Sequence, residues 1–316
     1  MANKVILVTG GTGLVGTAIQ KNYCLKDSWM FLGSKDLDLM DGTNVSKSFM
    51  HIMPDVVIHL AASVGGLYKN INGNADMFYQ NVTMNNNVIE ACRILNESKK
   101  VKLICMLSTC IFPDGLDTLT EYQLHDGQPH SSNFGYAYSK RMLQVACEAY
   151  KEQYDLDYIC LTPCNLYGSN DNFSLEDGHV IPSLVHRAYI AKKQGTSLQI
   201  RGTGTAMRQF LHVNDLAKII HFFATSTTTD KTHAYRHFIV APEQETSIAN
   251  VAKMIAEASG IDEITYDDAF SDGQQSKKAL ASRLLQVFPN MQFTPIDEGI
   301  KATVDWFSDN HPNVRL

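Results

Sequence analysis

Apolar residues occur along the chain in short runs separated by longer stretches of helical periodicity. Residues 4–9 (Lys-Val-Ile-Leu-Val-Thr), 29–32, 56–60, 102–107 and 158–161 read as buried strands. The segments 44–53, 76–97 and 135–154 between them read as helices. Strands alternating with helices predict a parallel sheet covered on both faces, the doubly wound α/β arrangement. Past about residue 166 the rhythm weakens. Gly168–Gly178 and the Thr-rich 225–229 run read as loops, 180–193, 247–259 and 297–310 as helices, and 198–200 and 238–240 as short strands. No internal repeat or low-complexity segment is present. This half of the chain is expected to form a smaller domain over the carboxyl edge of the sheet, the edge where open α/β sheets bind ligands.

Composition narrows the classes. A chain of 316 residues with 44% hydrophobic and 19% charged residues can bury a full core. The net charge of -6 and the lack of any Lys/Arg-rich block make nucleic acid and anionic membrane poor partners. No apolar run approaches the ~18 residues of a membrane span, and the opening Met-Ala-Asn-Lys lacks the apolar stretch of a secretory signal. The seven cysteines are scattered without a Cys-x-x-Cys pair, so no metal site is expected. Reduced thiols in the cytoplasm are the simplest reading.

Gly10-Gly11-Thr12-Gly13-Leu14-Val15-Gly16 follows the first predicted strand and opens the first predicted helix, the setting a dinucleotide fingerprint requires. Such glycines let backbone approach a pyrophosphate at a helix N-terminus. The fold expected is therefore a Rossmann-type doubly wound parallel sheet spanning 1–166, completed by part of 209–240. A smaller, irregular α/β substrate domain is expected from 167–208 and 241–316. The second strand ends Gly33-Ser34-Lys35-Asp36. A cation at Lys35 suits the 2′-phosphate of NADP, whereas Asp36 is the type of residue that selects NAD.

Tyr136 and Lys140 are spaced to share one helix face, and Ser108 and Cys110 lie 28 and 26 positions upstream of the tyrosine. Taken alone, Tyr-x-x-x-Lys is commonly an ordinary surface pair. With a serine hydroxyl sharing a substrate carbonyl, and with the lysine lowering the phenol's pKa, the trio suits hydride chemistry at an oxygen-bearing carbon.

In this order, Gly10–Gly16, Leu60-Ala61-Ala62, Ser108 and Tyr136/Lys140 resemble an extended short-chain dehydrogenase/reductase. Val64-Gly65-Gly66, Ser108-Thr-Cys-Ile-Phe-Pro113, Pro163-Cys-Asn-Leu-Tyr-Gly168, Asp171-Asn-Phe, Glu176-Asp-Gly-His-Val-Ile-Pro182 and Arg208-Gln-Phe-Leu-His-Val narrow the likeness. Together they resemble the GDP-L-fucose synthase family over essentially the whole chain. That resemblance implies a bifunctional enzyme that epimerises GDP-4-keto-6-deoxymannose at C3 and C5 and reduces C4 with NADPH.

It also implies residue roles. Ser108, Tyr136 and Lys140 would form the reductase trio, and Cys110 and His179 the epimerising pair. Asp38, Leu39, Leu60, Ala61, Ala62, Pro163, Leu166 and His179 would line NADP(H) with the glycine loop, Lys35, Tyr136 and Lys140. Asn165 would lie beside both nicotinamide and substrate. Arg187, Arg208, Asp272 and Lys277 would hold the GDP portion, with Lys278 an alternative in register to Lys277. Arg201 stands where the family usually has Trp, and would stack its guanidinium or bond phosphate instead. Cys164 stands where Thr is common. A homodimer through a four-helix bundle of 81–97 and 135–150 is also implied. His130, His186 and His212 read as structural. A nucleotide-sugar 4-epimerase or 4-ketosugar reductase with the same trio, or a catalytically silent NADP-binding sensor, are the competing readings.

Overall fold

A computed structural model describes residues 4–24, 28–65, 73–226, 235–267, 269 and 277–316. Its centre is a six-stranded, fully parallel sheet. In chain order the strands are β1 (Val5–Thr9), β2 (Ser28–Leu32), β3 (Val56–His59), β4 (Lys102–Met106), β6 (Asp157–Pro163) and β11 (His237–Val240). Between β4 and β6 lies a two-residue strand, β5 (Thr118–Leu119). Across the sheet the order is β2-β1-β3-β4-β6-β11. Helices α1 (Leu14–Tyr23), α2 (Gly42–Ile52), α3 (Asn74–Asn96) and α4 (Phe134–Tyr154) are the crossovers.

Ile6, Leu7, Val8, Val57, Ile58, Leu103 and Ile104 are fully buried, as expected for strands covered on both faces. Strand order reverses at β1, which pairs with β2 on one side and β3 on the other. The carboxyl ends of β1 and β3 therefore flank the switch point, the place where open α/β sheets bind ligands.

A polar network ties this edge together. His59 is fully buried at the end of β3, with Nδ1 2.8 Å from Thr9 Oγ1 and Nε2 3.0 Å from Asn85 Oδ1. Asn85 Nδ2 in turn donates to Ser139 O at 3.4 Å. Strands β1 and β3 are thereby joined to α3 and α4. Burial holds His59 neutral by lowering its pKa.

The second half is built on its own apolar cluster. Tyr167, Phe173, Ile181, Val185, Leu198, Val251, Ile255, Ile300 and Phe307 pack together. All but the loop residue Phe173 come from β7 (Asn165–Tyr167), α5 (Val180–Gln194), β8 (Leu198–Arg201), α7 (Ile248–Ser259) and α8 (Ile296–Asn310). Strand β8 pairs with β13 (Ile264–Asp267), and β7 with β10 (Phe210–His212). Helix α6 (Val213–Thr225), absent from the sequence reading, packs Leu216, Ile219, Ile220 and Phe223 onto the main core.

Residues 279–291 differ from expectation. Assigned above to the substrate domain, Ala279, Leu284 and Met291 pack on the main core. The cause is pairing: β14 (Lys278–Ala279) runs parallel to β5, and Ala279 N donates to buried Gln209 Oε1 at 2.7 Å. Asp272, Gly66 and residues 227–229 lie outside the described residues.

Candidate active site

The glycine loop leaves β1 with Gly10 at φ +70, a conformation L side chains rarely adopt. A Cβ on Gly16 would lie 2.4 Å from Gly11 O, so α1 seats against the loop only because that side chain is absent. Gly13 caps α1 with no side-chain hydrogen bond, and its added Cβ would meet only Gly10 O, at 3.3 Å. No side chain caps the first N–H groups at the positive end of the α1 dipole, which suits a pyrophosphate. Thr12 is exposed, and Leu14 and Val15 are half-buried beside it.

At the end of β2, Asp36 Oδ2 accepts from Gly33 N at 2.8 Å, so this carboxylate closes its own turn. Lys35 beside it is exposed. Asp38 likewise accepts from Met40 N, and Leu39 is buried. Leu60, Ala61 and Ala62 follow β3, with Leu60 N bonded to Thr9 O. Pro163 ends β6, and Asn165 and Leu166 follow in β7, where Asn165 Nδ2 donates to Gln209 O at 2.9 Å. Cys164 between them is buried.

Beyond β4, Ser108 N-caps a 3₁₀ turn, Thr109–Ile111, and its Oγ accepts from Cys110 N at 3.5 Å. The turn presents both half-buried side chains, Ser108 and Cys110, toward α4. Tyr136 and Lys140 share one face of α4, with the ammonium 5.9 Å from the ring centroid. Lys140 is 2% exposed, and its Nζ donates to Met106 O at 2.9 Å. Burial pushes its pKa down to about 8, with the thiols of Cys105, Cys110 and Cys160 acting the other way.

The expected lowering of the Tyr136 pKa is not what the structure gives. Burial, and secondarily the charge of an ionised Cys110, push the phenol up. Lys140 does not reverse this, because its ammonium is turned inward to the end of β4. At neutral pH Tyr136 is therefore a phenol, a proton donor. Burial also raises the Cys110 thiol, against a hydrogen bond from Ser108 and the charges of Lys277 and Lys140.

His179 precedes α5 and makes no side-chain cap hydrogen bond. His130 and His212 differ: each Nδ1 accepts from a backbone N–H, of Ser132 and Asn214. His186 Nδ1 is held 2.8 Å from Phe173 O. His179 is exposed at the start of α5. Loss of hydration, then the nearby Arg315 charge, lower its pKa.

The basic residues fall into separate groups. Arg187 and Arg201 approach closely enough that Arg201, after burial, lowers the Arg187 pKa. Arg208 Nη1 donates to Met207 O, and Glu245 is its charged neighbour. Lys277, expected with the GDP-holding group, lies near Cys110, Asp114 and Arg141. Lys278 is taken up in β14 opposite Thr118. Among the described residues no group of three His, Cys, Asp or Glu could hold a metal. No helix among them is long and apolar enough to cross a membrane.

The model of the NAD dependent epimerase/dehydratase family matches residues 6–240. The chain belongs to this family. It is 40% identical to the GDP-L-fucose synthase of Dictyostelium discoideum, over 99% of this chain and 98% of that one. It is 32% identical to the GDP-L-fucose synthase of Escherichia coli over 100% of both. The crystal structure of a GDP-L-fucose synthetase from Naegleria fowleri bound to NADP superposes with a TM-score of 0.90. That protein is 38% identical, with 100% of this chain and 96% of that chain covered.

For a family member of this architecture, sequence reasoning missed three positions at the site. His59 and Asn85 carried no signal, because their partnership spans 26 residues and depends on the sheet edge. Arg141 was legible only as the residue after Lys140.

Proposed function

We propose that the chain converts GDP-4-keto-6-deoxymannose to GDP-L-fucose, by epimerisation at C3 and C5 followed by NADPH-dependent reduction at C4. The observation that carries this reading is a thiol next to the reductase phenol: Cys110 is close enough to Tyr136 to shift its ionisation. A reductase or simple 4-epimerase has no use for that thiol. Full-length likeness to two GDP-L-fucose synthases supports the same substrate.

The residues fit NADP. The uncapped α1 N-terminus suits the pyrophosphate, and exposed Lys35, beside a self-engaged Asp36, suits a 2′-phosphate. Arg187 with Arg201, and Arg208, suit the GDP diphosphate.

The 4-ketone acidifies the protons at C3 and C5. Cys110, as thiolate, removes them, and Lys277 and Lys140 favour that ionised form. His179, from the other domain and with its ring unspent on capping, returns protons from the opposite face. Tyr136 then donates a proton to the C4 oxygen, and Ser108 hydrogen-bonds the same oxygen. Lys140, on the same helix face with its Nζ 5.9 Å from the ring centroid, completes the trio and holds the end of β4 through Met106 O. Bound NADPH supplies the hydride.

The exposed apolar residues Phe78 and Tyr79 on α3, and Met142 and Val145 on α4, are where a four-helix homodimer interface would form. Seven free thiols suit a reducing, cytoplasmic setting. The deciding test is product analysis after incubation with the 4-keto sugar nucleotide and NADPH. GDP-L-fucose is the expected product. A C4 alcohol with unchanged C3 and C5 would leave a simple reductase instead.

A further inference from the structure

Arg141 is 6% exposed, one residue beyond Lys140 on α4. Its Nε donates to Ile111 O, in the turn that carries Cys110. Nη1 donates to Gly127 O at 2.7 Å, and the guanidinium lies 5.5 Å from the Tyr138 ring centroid. Nη2 is buried without a hydrogen-bond partner among the described residues.

Two backbone carbonyls do not require a full charge; a neutral amide would bond them with less desolvation. Among the described residues the ion pairs found involve Arg93, Arg236, Arg283 and several lysines, and none involves Arg141. The ionisable neighbours of its guanidinium are Tyr138, Cys110 and Lys277, the last of like charge. Cys110 is thus faced by Lys140, Arg141 and Tyr136 from α4, by Lys277 from the segment before β14, and by Ser108 from its own turn. Asp114 stands behind Lys277. The charge this cluster lacks is a thiolate at Cys110.

We propose that Arg141 is the positioning residue for Cys110: it pins the Cys110 turn to the helix face bearing Tyr136 and Lys140 and holds positive charge against the thiol. A single side chain would then keep the epimerising and reducing groups registered over one sugar ring. This rests on the reading of Cys110 as the base.

Arg141→Gln keeps a donor for one carbonyl and removes the charge, whereas Arg141→Lys keeps the charge and loses the two-point grip. Both are compared with wild type and Cys110→Ser for deuterium uptake at C3 and C5 across pH, and for product stereochemistry. For Arg141→Gln, exchange at neutral pH should fall roughly tenfold and its pH midpoint should rise by about half a unit or more. The share of C4 alcohol with unchanged C3 and C5 should rise, because Tyr136 and Lys140 remain. Arg141→Lys should keep the wild-type midpoint and still release that unepimerised alcohol. Equal loss of exchange and reduction with an unchanged midpoint would overturn the proposal, as would failure of both variants to fold. Normal exchange in Cys110→Ser would instead overturn the assignment of the base.

Discussion

Replacing Lys140 with methionine should make the protein more stable while disabling it. Lys140 is 2% exposed, and its one hydrogen bond runs to Met106 O at 2.9 Å. Burial lowers the ammonium from the ordinary 10.5 to about 8. At about 1.36 kcal/mol per pH unit, keeping it charged at neutral pH costs the folded state about 3 kcal/mol. Leaving Met106 O without its donor costs about 1–2 kcal/mol in return. Lys140→Met should therefore gain about 1–2 kcal/mol in the nucleotide-free protein near pH 7, or a few degrees in melting temperature. C4 reduction should fall by roughly a hundredfold or more.

The pH dependence separates this cause from better packing alone. The folded pKa lies below the unfolded one, so between about 8 and about 10.5 the unfolded chain binds the extra proton. The penalty is complete below the lower value and vanishes above the upper. The variant's advantage should shrink as pH rises from about 7 to about 10. Calorimetric melts of both proteins under reducing conditions measure this, and subtraction removes the other titrating thiols and phenols. A variant less stable than wild type near pH 7, by an amount that does not change with pH, would refute the reasoning.

Five further substitutions have expected outcomes. Tyr136→Phe should block reduction while exchange at C3 and C5 continues, and Cys110→Ser should block exchange; isotope uptake followed by mass spectrometry reads both. Gly16→Ala, whose Cβ would sit 2.4 Å from Gly11 O, should displace α1 and weaken NADPH binding at least tenfold in a fluorescence titration. Lys35→Glu should shift cofactor preference from NADPH toward NADH, read as the ratio of the two kcat/KM values. Asp171 is 5% exposed with Oδ2 unpartnered, and burial pushes its carboxyl up to about 7. Its folded pKa lies above the unfolded one, so the penalty for charging it grows from about pH 4 to about pH 7 and persists above. Asp171→Asn should therefore raise the melting temperature at pH 8 more than at pH 5.

Much of this protein is legible without coordinates. Apolar runs of strand length between helical periods determine a parallel sheet, because only strands covered on both faces can be apolar throughout. Gly10–Gly16 after the first run reads as a dinucleotide-type turn because its spacing is local, and Gly13 and Gly16 answer to neighbours a few residues away, whereas Gly10 and Gly11 answer to Ala61 and Phe31 across the sheet edge. Tyr136 and Lys140 share a face because i and i+4 always do on a helix. Helix α6 was also within reach, in the spacing of Leu216, Ile219, Ile220 and Phe223.

What the chain order could not decide is where charge and water are once the sheet has formed. Lys140 is turned toward Met106 O, so it does not lower the Tyr136 phenol as its spacing suggests; burial raises it. Lys277 reaches Cys110 because β14 joins β5 across some 160 residues, which periodicity does not reveal. Asp36 spends its carboxylate on Gly33 N, beside an exposed Lys35. Spacing within one helix or turn is set by covalent geometry. Ionisation is set by everything packed around a group, and that exists only in the folded chain.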